Sequence, residues 1–585
     1  MLEVISLELS QISKSLAIFG GFIVFYGLVS NIAKERFYLS EPLLAVTVGI
    51  IIGPHVLNWV NPFEWSSTEM NNEITYQLTR LVMAVQVLFT GIALPKKYLW
   101  REKQSLAVLL FLIMTTAWFV TALLVWGIIG HLSFLESLCI ASCVTPTDPV
   151  LANSITSGHF AETHVPENVR RIILAESGAN DGLGFPFLFI AVYLLARTHE
   201  DYGETVGDEI WRWFYGTIVY QVLLSTAYGA VVGYVARKAL RWAAKHNLID
   251  MSNFFSYGFG LAMFTLGTAG LFGTDDILAC FICGNSFTWD DWFRLRLEEN
   301  DFQEIIDMLF NTAIFLYIGT IIPWQDYSDA SKGLSGWRVV VLGIAVLLVR
   351  RLPWVMAVYK IIPALSNWKE AAFTGWFGPI GVGAIYYIHV ALREVPSDNT
   401  RTHLREVVNP VVLFCVFSSV VTHGITIPIA RFGPKLVRHT TTMTQSSQNL
   451  WARNMRYYLC FWQEDSYWRA LEQPQTGIDK KTIGAPDAPR PAGGAVQPWA
   501  ETHHPFGMDL ATGHKAPILE PEPSGTHKGN SLAHLFSKDA ADPGSATATE
   551  PERGLEAAHE HGPATPQSFP HEPSPIKTPE EAHIP

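Results

Sequence analysis

The sequence predicts an all-α polytopic membrane protein with about thirteen transmembrane helices, or twelve if one short segment merges with its neighbour. Three observations carry that expectation. Residues 15–33, 104–130, 213–236, 251–274 and 407–430 contain no Asp, Glu, Lys or Arg, and a run of about 18 such residues is long enough to span a bilayer core as helix. Charged residues make up only 16% of the 585 positions, against roughly 25% in an ordinary soluble domain. Prolines, glycines and ionisable side chains recur inside other apolar segments, where isolated charge is costly and marks function by default. A soluble enzyme is excluded.

The weaker segments are residues 42–60, 76–95, 134–156, 171–196, 276–289, 302–323, 337–359 and 371–392. The segment 276–289 is short and is compatible with a tilted, re-entrant or merged helix. With thirteen spans, one set of short loops carries sixteen Lys and Arg and the opposite set eight. The richer set is expected to be cytoplasmic. Residues 61–75 hold three Glu and no Lys or Arg, as an external loop should, whereas Arg393, Arg401 and Arg405 run against the trend. The N-terminus is therefore expected outside and the C-terminus inside. No removable signal is evident, and the first helix would itself insert.

Residues 1–435 read as the membrane domain, 436–470 as an aromatic juxtamembrane segment and 471–585 as a disordered cytoplasmic tail. From residue 441 onward the chain holds 18 of its 34 prolines, with 18 acidic against 11 basic residues. Such a composition buries too little apolar surface to offset chain entropy. Its acidity excludes nucleic acid as a partner, while cytosolic regulators remain compatible with it. The juxtamembrane segment sets Trp451, Trp462 and Trp468 beside Arg453, Arg456 and Arg469. It suits either the headgroup layer or docking on the membrane domain, and docking is favoured. Cys280 and Cys283 have a zinc-ribbon spacing, but no second ligand pair follows. They are expected to be packed small residues, like Cys139, Cys143 and Cys415.

The polar residues inside the spans define candidate sites. The fifth span reads Thr145-Pro146-Thr147-Asp148-Pro149. Two prolines remove backbone donors and break the helix, and a break at membrane depth is tolerated only where it lines a cavity or site. Asp148 either caps the second half-helix or serves that site, or both. The sixth span holds Glu176, Ser177, Asn180 and Asp181. Glu176 and Asn180 are four apart, as are Ser177 and Asp181, so two polar stripes lie on adjoining faces of one helix. Two acids in hydrocarbon demand a cation, a proton or a basic side chain. The eleventh span supplies Arg350 and Arg351; one is expected to pair with Glu176 (Arg351 is favoured) and the other to snorkel toward the headgroups.

The twelfth span carries Gly375, Gly378, Pro379, Gly381 and Gly383, a composition suited to close packing or local unwinding. It lies seven spans after the first broken helix. An odd offset means opposite orientation, and two interrupted segments in corresponding positions of inverted repeats point to a transporter site. Lesser candidates are Asp275 and Asp276 (interfacial charges or a cation entrance), Asp307 with Asn311 on one face of the tenth span, and His389, a residue type that titrates near neutral pH but is expected here to be a hydrogen-bonded core histidine.

Thr147-Asp148-Pro149, Glu176-Ser177-x-x-Asn180-Asp181, a late Arg and a Gly-rich span together resemble the Na+/H+ antiporters of the monovalent cation–proton antiporter superfamily, most closely their fungal plasma-membrane members. The resemblance covers about residues 12–435. It implies two crossed broken helices, a core and a dimerisation domain, a homodimer, and exchange of cytosolic Na+ or Li+ for external H+. It also implies roles. Asp181 would hold a proton or the cation alternately, with Glu176, Ser177 and Thr147 in or behind the cation shell. Asn180 would brace Glu176, Asp148 would compensate half-helix dipoles, and Arg351 would pair with Glu176. Many relatives carry Arg-Gly where this chain has Ile380-Gly381, so any role of that Arg is absent or supplied elsewhere. Exchange of one cation per proton is expected, because a Glu176 neutralised by Arg351 offers no second proton. No ATP-binding motif and no cofactor are implied beyond the transported ions. An intramembrane aspartyl protease is disfavoured by the absence of a Gly-x-Gly-Asp pattern, and a channel by the absence of a filter-like run. A K+-preferring antiporter and an ion or pH sensor with vestigial transport remain open.

Overall fold

The computed structural model describes residues 11–37, 39–156, 165–197, 205–297, 302–395 and 401–443. The expectations for the aromatic segment from residue 444 onward and for the tail lie outside the described residues. Among the described residues all regular structure is helical. The chain order is α1 (Gln11–Asn31), α2 (Glu41–Ile52), α3 (Thr68–Ala93), α4 (Lys103–Ile128), α5 (Phe134–Val144), α6 (Pro149–Thr156), α7 (Glu167–Gly182), α8 (Phe185–Ala196), α9 (Val206–Lys245) and α10 (Met251–Leu271). It continues with α11 (Asp276–Phe287), α12 (Phe302–Ile321), α13 (Gly336–Val349), α14 (Leu352–Val358), α15 (Trp368–Trp376), α16 (Val382–Glu394) and α17 (Thr402–Met443). Short helical turns join several of these.

Among the described residues, 8 helices are long and apolar enough to cross a membrane, or 9 when α7 and α8, bent by 53° at their junction, are taken as one span. The remaining predicted segments are short or interrupted helices. α2 stops at Ile52 rather than near residue 60, because Gly53 turns to an extended conformation ahead of Pro54, and a residue preceding proline disfavours the α region. α11 is short but does not merge with α10. Gly273 turns the chain at φ 68°, and Asp275 caps the new helix by accepting from the Leu278 N–H at 2.9 Å. At the other end of the domain, α17 runs past the expected boundary at residue 435 to Met443.

Interrupted helices need a rigid surround, and the sequence supplies it through small residues at helix crossings. α2 packs on α12, α3 on α11, and α9 on α11. A side chain on Gly284 of α11 would place its Cβ 2.1 Å from Leu88 O of α3, and one on Gly319 of α12 would stand 2.5 Å from Val46 O of α2. Backbones approach this closely only where a Cβ is missing, and in lipid such packing replaces the hydrophobic effect as the force between helices. Apolar side chains of α1 and α9, among them Phe25, Leu28, Val231 and Tyr234, remain exposed on the outside of the bundle.

Gly284→Val is therefore expected to lower the melting temperature in detergent sharply, since overpacking costs about 1–3 kcal/mol even where neighbours can shift. Gly260→Val, at a position with open space around it, is expected to melt like the parent. Equal melting of the two variants would contradict the close-packed crossing.

Candidate functional site

The interruptions between α5 and α6 and between α15 and α16 lie against each other. Asp148 donates its backbone N–H to Pro379 O at 2.9 Å, which ties one break directly to the other. Each interruption leaves an orphan helix C-terminus with free carbonyls and an orphan N-terminus with free N–H groups. One side chain serves both ends of each kind. Arg350 donates to Val144 O, at the end of α5, and to Gly378 O, just past the end of α15. Asp148 accepts from Leu151 N–H of α6 and Val382 N–H of α16, both at 2.9 Å. A cation thus sits at two negative dipole ends and an anion at two positive ones.

Arg350 does not snorkel. It is 3% exposed, because the helix ends at Val349 and restarts at Leu352 with Pro353 in its first turn. The two arginines occupy that break, so regular helical spacing does not separate them. Arg351 turns toward α7 and forms a two-pronged pair with Glu176, one prong being Nη2 to Oε2 at 2.6 Å. Its Nε donates to Thr374 O at 3.1 Å. Both Glu176 and Arg351 are buried.

Asn180 does not brace Glu176. Its Oδ1 accepts from the Thr147 N–H at 3.1 Å and its Nδ2 donates to Thr147 Oγ1 at 2.7 Å. Glu176 already has a partner for each oxygen in the guanidinium fork, whereas the break between α5 and α6 leaves the Thr147 amide without a helical acceptor. Thr147 Oγ1 also meets Ser177 Oγ at 3.0 Å. Thr147, Ser177 and Asn180 therefore form one buried cluster, and Glu176 with Arg351 a separate buried pair.

Asp181 differs from all of these. It is 0% exposed, and neither carboxylate oxygen has a hydrogen-bond partner among the described residues. It lies where α7 bends into α8, and its backbone carbonyl accepts from the Tyr387 hydroxyl of α16. The glycines around the second break make room for the charged groups. A Cβ at Gly378 would strike the Arg351 side chain, one at Gly381 the Asp148 carboxylate, and one at Gly383 the Asp181 carboxylate.

The lesser candidates are scattered. Asp276 pairs with Arg80 of α3 at 2.6 Å, and Asp275 caps α11, its Oδ2 having no partner among the described residues. Both are buried within the protein. Asp307 is half-buried and accepts from Asn153 at 3.4 Å, while Asn311 binds Gln86 at 2.6 Å instead of joining Asp307. His389 is buried on α16. Cys280 and Cys283 are buried free thiols. Sequence reasoning missed Arg80, an ionisable residue inside a predicted span that the intramembrane-charge criterion should have singled out. It also missed Tyr387, whose role depends on contacts that no local pattern encodes, and Ser419, which accepts from the Ile380 N–H at 2.7 Å.

Crossed broken helices, with their ends neutralised by shared side chains and one carboxylate left over, define a polytopic helical membrane protein with a charged core of the kind found in ion transporters. The family model described as sodium/hydrogen exchanger, transmembrane, matches residues 21–432, and the chain belongs to that family. It is 37% identical to the Na(+)/H(+) antiporter of Saccharomyces cerevisiae over 75% of this chain and 45% of the relative. Against Na(+)/H(+) antiporter 2 of Zygosaccharomyces rouxii, identity is 34% over 77% of this chain and 57% of the relative. A Na(+)/H(+) antiporter of Schizosaccharomyces pombe is 32% identical over 74% of this chain and 92% of its own length. The matched region thus spans about half the length of the first two relatives. Among solved structures, the sodium proton antiporter MjNhaP1 of Methanocaldococcus jannaschii superposes with a TM-score of 0.52 at 15% identity, over 73% of this chain and 98% of that one. That likeness concerns the fold.

The buried pair predicts an asymmetry in stability. Arg351→Gln leaves Glu176 buried and unpaired, and removing one partner of a buried pair costs about 3–5 kcal/mol. The double variant Glu176→Gln/Arg351→Gln is expected to melt at a higher temperature than Arg351→Gln alone. A double variant no more stable than the single one would show that the pair is not the dominant interaction of either residue.

Proposed function

We propose that this protein is a secondary active antiporter that exchanges cytosolic Na+ or Li+ for external H+ by alternating access, with cation and proton competing for Asp181. The observation that carries the reading is the Asp181 carboxylate, fully buried and without a hydrogen-bond partner among the described residues. An ionised carboxylate in that position requires a compensating positive charge. Arg351 is committed to Glu176 and Arg350 to the helix ends, so the charge has to come from a bound cation or a proton. Occupancy by one then excludes the other, and this competition couples the two fluxes without ATP or a cofactor. The hydroxyl of Ser177, one helical turn from Asp181, and that of Thr147, in contact with Ser177, supply neutral oxygens for a cation shell. That the fungal relatives are named as Na(+)/H(+) antiporters supports the same reading.

Glu176 is paired with its own arginine, which leaves a single exchangeable carboxylate on this helix and favours exchange of one cation per proton. The motion would carry the crossed helices, with Asp181, past the close-packed surround. In this reading the protein is a plasma-membrane homodimer with its N-terminus outside and its tail in the cytosol, available to cytosolic regulators. The polytopic family members named above are all antiporters or exchangers, and none is an enzyme.

In proteoliposomes, the wild-type protein is expected to dissipate a pH gradient when Na+ or Li+ is added, with K+ tested in parallel. The rate should not change under an imposed membrane potential, and Asp181→Asn should abolish exchange while retaining the parental melting curve. Exchange that persists in Asp181→Asn would overturn the site. Absence of exchange in folded wild type would move the weight to an ion or pH sensor.

A further inference from the structure

Gly383 is a helical glycine with no conformational reason to be glycine. It lies in the first turn of α16, and its φ is not in the left-handed region. Alanine is the better helix former in such a position. What the missing side chain provides is space. A Cβ on residue 383 would stand 2.6 Å from Asp181 Oδ1 and 3.5 Å from Met83 Cε. Asp181 Oδ1 thus faces the bare backbone of α16, and the thioether methyl of Met83, from α3, lies beside the same spot. Met83 is itself buried, so the wall it forms is packed from behind.

We propose that Gly383 and Met83 together set the width of the space beside the Asp181 carboxylate, and so select the transported monovalent cation by size. The proposal rests on the reading of Asp181 as the ion-carrying group. Alkali cations carry the same charge and differ in the radius of the oxygen shell they need, so one carboxylate distinguishes them only through the room around it. A methyl group at residue 383 occupies part of that room and penalises the larger ions most. Shortening Met83 has the reverse effect. Neither side chain offers a charge or an oxygen, so both act by the room they leave.

The test is the ratio of apparent affinities for Li+, Na+ and K+, measured by cation-driven pH changes in proteoliposomes containing the full chain. Gly383→Ala is expected to raise the preference for Li+ over Na+ several-fold. Met83→Ala is expected to lower it and to improve K+ relative to Na+. If Gly383→Ala does not fold, Met83→Ala decides alone. Variants that scale all three cations together, with unchanged ratios, overturn the proposal, since general damage to packing would do the same. Wild-type protein that exchanges none of the three cations would instead defeat the antiporter reading beneath it, and that outcome is distinguishable because it precedes any substitution.

Discussion

Everything in this structure depends on the cost of leaving charge or free peptide groups unpartnered in hydrocarbon. Breaking two helices at membrane depth exposes two C-termini and two N-termini, each carrying a partial charge. The chain meets that cost with economy. Arg350 answers both C-termini and Asp148 both N-termini, so the breaks must lie against each other for either side chain to work. The close packing of α2 on α12 and α3 on α11, through glycines that let backbones touch, holds the surround in which that arrangement fits. Crossing geometry, buried ions and small-residue interfaces are consequences of one requirement.

Two carboxylates of α7 show how the same requirement separates structure from function. Glu176 has a guanidinium fork to itself, and that arginine is anchored in turn on the Thr374 carbonyl. Asp181, about one and a half turns further on, has no such partner among the described residues. A buried group whose neutralisation is built into the protein is a fixture, whereas one whose neutralisation must come from outside binds what solution provides. The division also bears on coupling, because a single unassigned carboxylate carries a single exchangeable charge.

Much of this was legible in the sequence. Uncharged runs marked the helices, Pro146 and Pro149 marked one break, and the glycines from Gly375 to Gly383 marked the other. The Glu176–Arg351 pairing followed from a family resemblance as well as from charge arithmetic. What the sequence hid was contact geometry. Arg350 looked like a snorkelling residue because regular helix was assumed through a position that is in fact a third interruption, signalled only by Pro353. Asn180 was assigned to Glu176 by the family resemblance, but a free amide at Thr147, created by a break on another helix, drew it away. The length of α2 was overestimated because its apolar composition continues past Gly53 and Pro54, where the backbone does not.

The central claim is that one carboxylate holds either a proton or a cation. The most direct test is to titrate detergent-purified protein with Na+ in weakly buffered solution and count the protons released per cation bound across a range of pH. Competition at one group predicts about one proton per cation at acidic pH, with apparent Na+ affinity falling about tenfold per pH unit below the pKa of that group. Proton release near two per cation, or an affinity independent of pH, would contradict it.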